Sequence, residues 1–469
     1  MEIVIVGGGE LGRELSRDLN DEGHEITLID NRPEIIDQLI EEVDIKGVVG
    51  SGTSIDIQRE ADVDRCRIFI AVTQSDEINL ISSNIAKILG AEYCIVRARK
   101  EDYALQEPFM KKTFGLNALI NQDRETAQHI TNVVDFPAAN YVEMFNHKKI
   151  HLVRIKAASF AEIVGMTMQQ IRQQVPNVVV CVLTRAYETI IPRGDTVVLA
   201  EDELDVIASD RSLDQFAKLA GHNNELRFKS ALVVGGSRVA NYLLPAFHAR
   251  GIRTKVIEQN EERAIALASR FTSVEVILGD GTDQDFLREH RIGNHDLVIA
   301  LTDNDEENLM VSLFAYHEGV RKNVTKINQP QLTELIDLDH LDALISPRLT
   351  ISDSIIRRVR TLSTNNRNHL VNYARLNSDQ TEALEFIVVA SDEVTRAPIK
   401  DLPIKDSVVI GAIIRDGEMI FPTGDDYFVA EDHVLIISVG EKMLTLDHIL
   451  KKHSPSFYQR LLNWGREQE

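Results

Sequence analysis

Ile3-Val4-Ile5-Val6-Gly7-Gly8-Gly9-Glu10-Leu11-Gly12 opens the chain, and Ala231-Leu232-Val233-Val234-Gly235-Gly236-Ser237-Arg238-Val239-Ala240 restates it at an offset of 228. In each copy an apolar run enters a glycine turn, and in the first Leu11, Leu15 and Leu19 then recur at i, i+4 and i+8, one apolar face of a helix. The register persists beyond the turn. Asp30 falls on Glu258, and Gly50-Ser51-Gly52-Thr53 on Gly279-Asp280-Gly281-Thr282. Ala71-Val72-Thr73 falls on Ala300-Leu301-Thr302, and Pro192, Gly194, Asp195, Glu201 and Asp202 recur as Pro422, Gly424, Asp425, Glu431 and Asp432. The chain is therefore two tandem copies of one unit of about 229 residues.

Within each copy, short apolar runs alternate with helical patterns, the signature of βαβ units around a parallel sheet. Ile26 to Ile29, Ile68 to Val72 and Cys94 to Val96 read as buried strands. Near Leu152 and Leu370 the pattern changes to short strands and turns, with Pro192-Arg193-Gly194-Asp195 and Pro422-Thr423-Gly424-Asp425 placing turn residues before a strand. The expected class is α/β: two Rossmann-type doubly wound parallel-sheet domains, each followed by a small β-rich α+β domain. The expected divisions are 1–125, a crossover at 126–150, 151–222, 228–350, a second crossover at 351–368, 369–453 and a tail at 454–469.

With 469 residues the chain is too long for one core, and 43% hydrophobic with 26% charged residues is ordinary globular composition. A formal charge of -22 without a basic run argues against nucleic acid as a partner. No apolar stretch is long enough to span a bilayer, so a cytoplasmic location is expected. Cys66, Cys94 and Cys181 are isolated and fit neither a disulfide framework nor a zinc site.

Gly7-x-Gly9-x-x-Gly12 gains weight from its surroundings: a strand before it, a helix after it, and Asp30 at the end of the next strand. Gly7 permits the tight turn, Gly9 lets backbone approach a pyrophosphate, and Gly12 lets helix and strand pack closely. Asp30 would accept hydrogen bonds from an adenosine ribose and repel a 2′-phosphate, which disfavours NADP but leaves NAD, ATP and ADP open. Gly52, Thr53 and Thr73 follow later strands at the crevice. Arg97 would bring positive charge to phosphates. The second copy keeps Glu258 at the ribose position, Gly281 and Thr282 after a later strand, and Lys326 opposite Arg97. There Ser237 and Ala240 replace two glycines and narrow the phosphate approach.

Catalytic partners do not accompany these motifs. None of the nine tyrosines is followed by lysine four residues on, and HExxH, Gly-x-Ser-x-Gly and a Walker loop are missing. His147 and His151 read as solvated, as do the acidic pairs Asp202-Glu203 and Asp425-Asp426 at turns. An NAD-dependent oxidoreductase, or a sensor attached to another cation transporter, stays as an alternative function.

The N-terminal Gly7-Gly8-Gly9-Glu10-Leu11-Gly12, Ala71-Val72-Thr73-Gln74-Ser75-Asp76-Glu77, Ile345-Ser346-Pro347-Arg348 with Thr350-Ile351-Ser352, and Val409-Ile410-Gly411-Ala412 together resemble the TrkA family, cytosolic regulatory subunits of bacterial Trk potassium uptake, from whose more glycine-rich form the second turn departs. The resemblance covers essentially the whole chain and implies two RCK units, each a KTN and a TrkA-C domain. It further implies a non-enzymatic regulator that binds NAD(H), with ATP or ADP as alternatives. Such a subunit assembles as a homotetrameric gating ring on the inner face of the cell membrane, beneath a TrkH-type potassium channel subunit. Carried over by motif, the resemblance adds Gly8, Glu10, Leu11 and Gln74 to the first site and Gly235, Gly236, Ser237, Arg238, Val239, Thr302 and Asp303 to the second, and dimer contacts and hinges are expected at about 107–146 and 333–368.

Overall fold

The computed structural model describes residues 1–145, 150–186, 188–222, 227–329, 332, 340–363, 370–376 and 381–451. His147, the expected tail 454–469, residues 146–149 and 364–368 of the two expected crossovers, and residues 333–339 of the second expected hinge segment lie outside the described residues.

The first copy begins with six parallel strands: β1 (Glu2–Val6), β2 (Glu25–Asp30), β3 (Lys46–Val49), β4 (Ile68–Ala71), β5 (Tyr93–Arg97) and β6 (Ala118–Ile120), in the order β3-β2-β1-β4-β5-β6. Every residue of Ile68-Phe69-Ile70-Ala71 is buried, as a central strand covered by helices on both faces requires. Strand order reverses between β1 and β4, which opens a crevice beyond the carboxyl ends of the strands.

A five-stranded sheet follows: β7 (Tyr141–Phe145), β8 (Ile150–Lys156), β9 (Val178–Arg185), β10 (Glu188–Ile190) and β11 (Glu203–Ala208), in the order β10-β9-β11-β8-β7. The second copy repeats the parallel sheet with β12 (Ser230–Val234), β13 (Arg253–Glu258), β14 (Glu275–Leu278), β15 (Leu297–Ala300), β16 (Lys322–Lys326) and β17 (Ala343–Ile345). Their order, β14-β13-β12-β15-β16-β17, is that of the first sheet. It ends with β18 (Leu370–Leu376), β19 (Thr381–Ile387), β20 (Val408–Arg415), β21 (Glu418–Ile420) and β22 (His433–Val439), ordered β18-β19-β22-β20-β21.

Two compact units result, and neither is one copy of the repeat. One joins Met1–Glu143 to Asn223–Val359, both parallel sheets; the other joins Met144–His222 to the chain from Arg360 onward, both antiparallel sheets. In the first unit, helix Gln122–Asp135 packs along helix Arg238–Ala249 of the other copy. Arg250 grips Asp135 at 2.6 and 2.7 Å, and Arg270 donates to Glu101 at 2.7 Å. The buried Lys322 Nζ donates to the carbonyls of Pro137 (3.0 Å) and Ala139 (2.5 Å). The expected crossover, 126–150, thus begins inside helix Gln122–Asp135, which packs on the second copy, and continues through strand Tyr141–Phe145.

In the second unit, a Cβ at Gly411 would stand 2.3 Å from Ile207 Cδ1 and 3.6 Å from Cys181 Sγ, so glycine lets the β20 and β9 faces meet. Asp202 corrects the expectation of a solvated acidic turn. It is buried, held by Arg185 at 2.7 and 2.8 Å, and accepts from Leu199 N. Asp432 is held in the same way by Arg415. The signal missed was the strand arginine 17 residues before each aspartate. Asp426 caps its own turn by accepting from Thr423, and Asp425 pairs with Lys400.

Candidate functional site

The first glycine turn is shaped by contacts a side chain would break. Gly7 has φ +107°, and a Cβ there would stand 2.9 Å from Thr73 N. At Gly12 a Cβ would lie 1.8 Å from Gly7 O. At Gly9 a Cβ would meet nothing within 4 Å, so this backbone faces open space, and it begins helix Glu10–Asp21 with no side chain capping the first amides. An uncapped helix N-terminus beside bare backbone accommodates phosphate oxygens.

Asp30, at the end of β2, closes the turn from below. Its Oδ2 accepts from Gly8 N at 2.6 Å, and its Oδ1 from Arg32 N at 3.0 Å and Arg32 Nε at 3.1 Å. Burial opposes its charge, but the bonds from Arg32 and Gly8 outweigh burial and hold the carboxyl below its ordinary range. On the other side of the crevice, Thr73 is fixed by Asn79, whose Oδ1 takes both the Thr73 amide (2.8 Å) and hydroxyl (2.6 Å). Arg97, at the end of β5, donates to Gln122 Oε1 at 3.0 Å, while its Nε is buried without a hydrogen-bond partner among the described residues. Burial, with Arg99 close by, pushes its guanidinium down to about 10, still cationic at neutral pH.

These groups surround a cleft of about 750 Å³, a size suited to a small-molecule ligand. Of the residues expected from sequence, Gly7, Gly9, Glu10, Leu11, Asp30, Gly52, Thr73, Gln74 and Arg97 line it. Gly8 instead holds Asp30, Gly12 packs beneath the turn, and Thr53 shares a 2.8 Å hydrogen bond with Ser51 Oγ. Sequence reasoning missed Arg13, Arg32 and Arg99, and also Gln122, Asn328, Arg348 and Ile351. Arg32 and Arg99 had a local signal, each two residues beyond an expected site residue; Asn328, Arg348 and Ile351 come from the other copy and had none.

The second cleft, about 540 Å³, is lined by the expected Gly236, Ser237, Arg238, Val239, Asp303 and Lys326, together with Arg263, Arg270 and the first copy's Arg99, Gln122 and Asp123. Gly235 (φ +98°) makes the turn without lining it. Glu258 sits beneath, accepting from Gly236 N at 2.7 Å and Arg263 Nη2 at 2.8 Å. Gly281, Thr282 and Thr302 also lie off the wall: Gly281 abuts Val234, Thr282 bonds Asp280, and Thr302 bonds Asn304. Ala240 occupies the Gly12 position, where the first copy has no room for a Cβ. Here the helix opens with Ala240 N donating to Ser237 O (2.9 Å), whereas Arg13 N reaches back four residues to Gly9 O (2.9 Å). Burial lowers the ammonium of Lys326, and Asp303 stands 3.6 Å away.

A family model described as the TrkA-N domain matches residues 3–122 and 231–347, and one described as the TrkA-C domain matches 152–221. The chain belongs to the TrkA-N family. It is 27% identical, over 96% of its length and all of the relative's, to the Trk system potassium uptake protein TrkA homolog of Archaeoglobus fulgidus. It is 29% identical to the Trk system potassium uptake protein TrkA of Halomonas elongata, over 95% of this chain and 97% of that one. Among solved structures, the fold is shared with the GsuK RCK domain, with a TM-score of 0.58 at 16% identity over 93% of this chain and 92% of that one. The GsuK channel bound to NAD matches with a TM-score of 0.59 at 16% identity, covering 96% of this chain and 78% of that one. Among the described residues, no helix is long and apolar enough to cross a membrane.

Proposed function

We propose that this TrkA-N protein is a nucleotide-binding regulatory subunit of a Trk-type potassium uptake system. It takes NAD(H) in the first cleft, with ATP or ADP as alternatives, and sits as a homotetrameric ring on the inner face of the membrane beneath a TrkH-type subunit. The names of the Archaeoglobus and Halomonas relatives support the potassium role.

One observation supports the regulatory reading: each glycine-turn cleft is walled partly by the other copy, so a ligand seated there would touch both copies at once. A ligand shifts an equilibrium only by its different affinity for two arrangements, and residues shared between copies supply that difference. The residues fit the ligand. Gly9 leaves backbone open to a pyrophosphate, the buried Nε of Arg97 offers a donor, and Asp30 would receive the adenosine ribose once Arg32 swings aside. No chemical step is assigned to the nucleotide.

The test is potassium flux into vesicles carrying the membrane subunit, with this chain added. NADH, ATP or ADP should change flux at the concentrations that saturate binding to the isolated chain. Nucleotide binding with no change in flux removes the regulatory role; turnover of NADH with a small substrate would replace it with the oxidoreductase.

A further inference from the structure

The two copies meet their glycine-turn helices with opposite charges. Aligning Ala118-Leu119-Ile120 of β6 with Ala343-Leu344-Ile345 of β17 pairs Asp123 with Arg348, each at the start of the helix that follows. Asp123 reaches across to Arg238 of the second glycine turn, 3.1 Å from its Nε. Arg348 reaches across to the first, with its Nε 3.1 Å from Glu14 Oε2 and its Nη1 3.4 Å from Glu10 Oε2. Arg348 also lines the first cleft, one turn from Ile351, which lines it too. A cation delivered from the other copy therefore borders the first cleft, and a carboxylate delivered in the same way borders the second.

We infer that Arg348 is a phosphate-reading residue of the first cleft, held in reserve by Glu14 and Glu10 and transferred to the ligand on binding. This rests on the nucleotide reading of that cleft. A guanidinium with two weakly geometric carboxylate contacts and a side chain 19% exposed can exchange one anion for another with little desolvation. The exchange removes a bond between the copies at the first cleft and makes a ligand-mediated one. At the second cleft the same event is opposed, because the group delivered there from the other copy is the carboxylate of Asp123, which repels a phosphate that takes Arg238. Ligand binding to the two clefts thus pulls differently on one interface.

The experiment is calorimetric titration of the full chain, in a Glu258→Ala background that weakens the second cleft, with ADP and with adenosine as probes. Arg348→Gln should weaken ADP by about tenfold or more and leave adenosine within about twofold, since only the phosphates meet the guanidinium. Glu14→Gln frees Arg348 and should tighten ADP by about threefold. A brace that merely joins the copies predicts the same direction for both variants. Weakening of ADP by both, or unchanged ADP affinity in Arg348→Gln, overturns the inference. Should Arg348→Gln not fold, tightening by Glu14→Gln supports the inference and weakening or no change overturns it. If the unsubstituted chain binds neither ADP nor NADH, the nucleotide reading itself falls, and this one with it.

Discussion

Asp30→Asn separates ribose recognition from the integrity of the glycine turn. The carboxylate accepts Gly8 N at 2.6 Å and Arg32 at 3.0 and 3.1 Å, so both oxygens are engaged before a ligand arrives. A ribose diol would compete with the Arg32 side chain, which is half exposed and costs under about 1 kcal/mol to displace. The amide keeps one acceptor and turns a donor toward its other partner, losing one charge-assisted bond of about 1.5–3 kcal/mol. NADH affinity measured by calorimetry should therefore fall by roughly 10- to 100-fold, at 1.4 kcal/mol per decade. Inorganic pyrophosphate, which meets the turn and the arginines but not Asp30, should bind within about twofold of the unsubstituted chain. The sign with pH follows from the lowered carboxyl: Asp30 stays ionised from pH 8 to 5, so NADH binding should not decline through this group across that range. Equal losses for NADH and pyrophosphate would mean that the turn collapses, and unchanged NADH affinity would mean that Asp30 does not hold the ribose.

Two further outcomes concern stability. Gly12→Ala places a methyl where backbone stands 1.8 Å away, a clash no rotamer relieves, and should cost about 2–4 kcal/mol in denaturant unfolding; Ala240→Gly, in the copy that already opens its helix differently, should cost about 1 kcal/mol, and equal costs would contradict the packing argument. Burial, only partly offset by Asp342, pushes the Lys322 ammonium down to about 8. The unfolded chain keeps that proton up to about 10.4, so this group adds about 3 kcal/mol of stability as pH rises from 8 to 10.4. Unfolding of the wild type compared with Lys322→Met across that window should show the gain, and a constant difference would refute it.

Much of the fold was legible because its causes are local. Val4, Ile5 and Val6 running into Gly7 specify a strand and turn, Leu11, Leu15 and Leu19 the helix behind it, and the same spacing at Val234 and Gly235 repeats the design. The place of the acid proposed for the ribose was legible for the same reason: Asp30 and Glu258 end the second strand of each copy, and in the structure each sits under its own turn, bonded to Gly8 or Gly236. Thr53 and Thr282 lie off the cleft walls because a threonine after a strand can bond its own loop, as both do. The solvated reading of Asp202 failed because its partner, Arg185, lies on a neighbouring strand.

What the sequence determined by itself was the duplication, the strand-turn-helix order and the divergence of the two glycine turns, all properties of residues a few positions apart. Only the tertiary structure decided that like domains pair across copies, so that Asp123 meets Arg238 and Arg348 meets Glu14. Those contacts join residues hundreds of positions apart, and nothing in local propensity or spacing encodes which helix will cover which cleft. The packing of helix Gln122–Asp135 on helix Arg238–Ala249, with the Arg250–Asp135 pair beside it, holds that pairing, and the charges that border each cleft come with it.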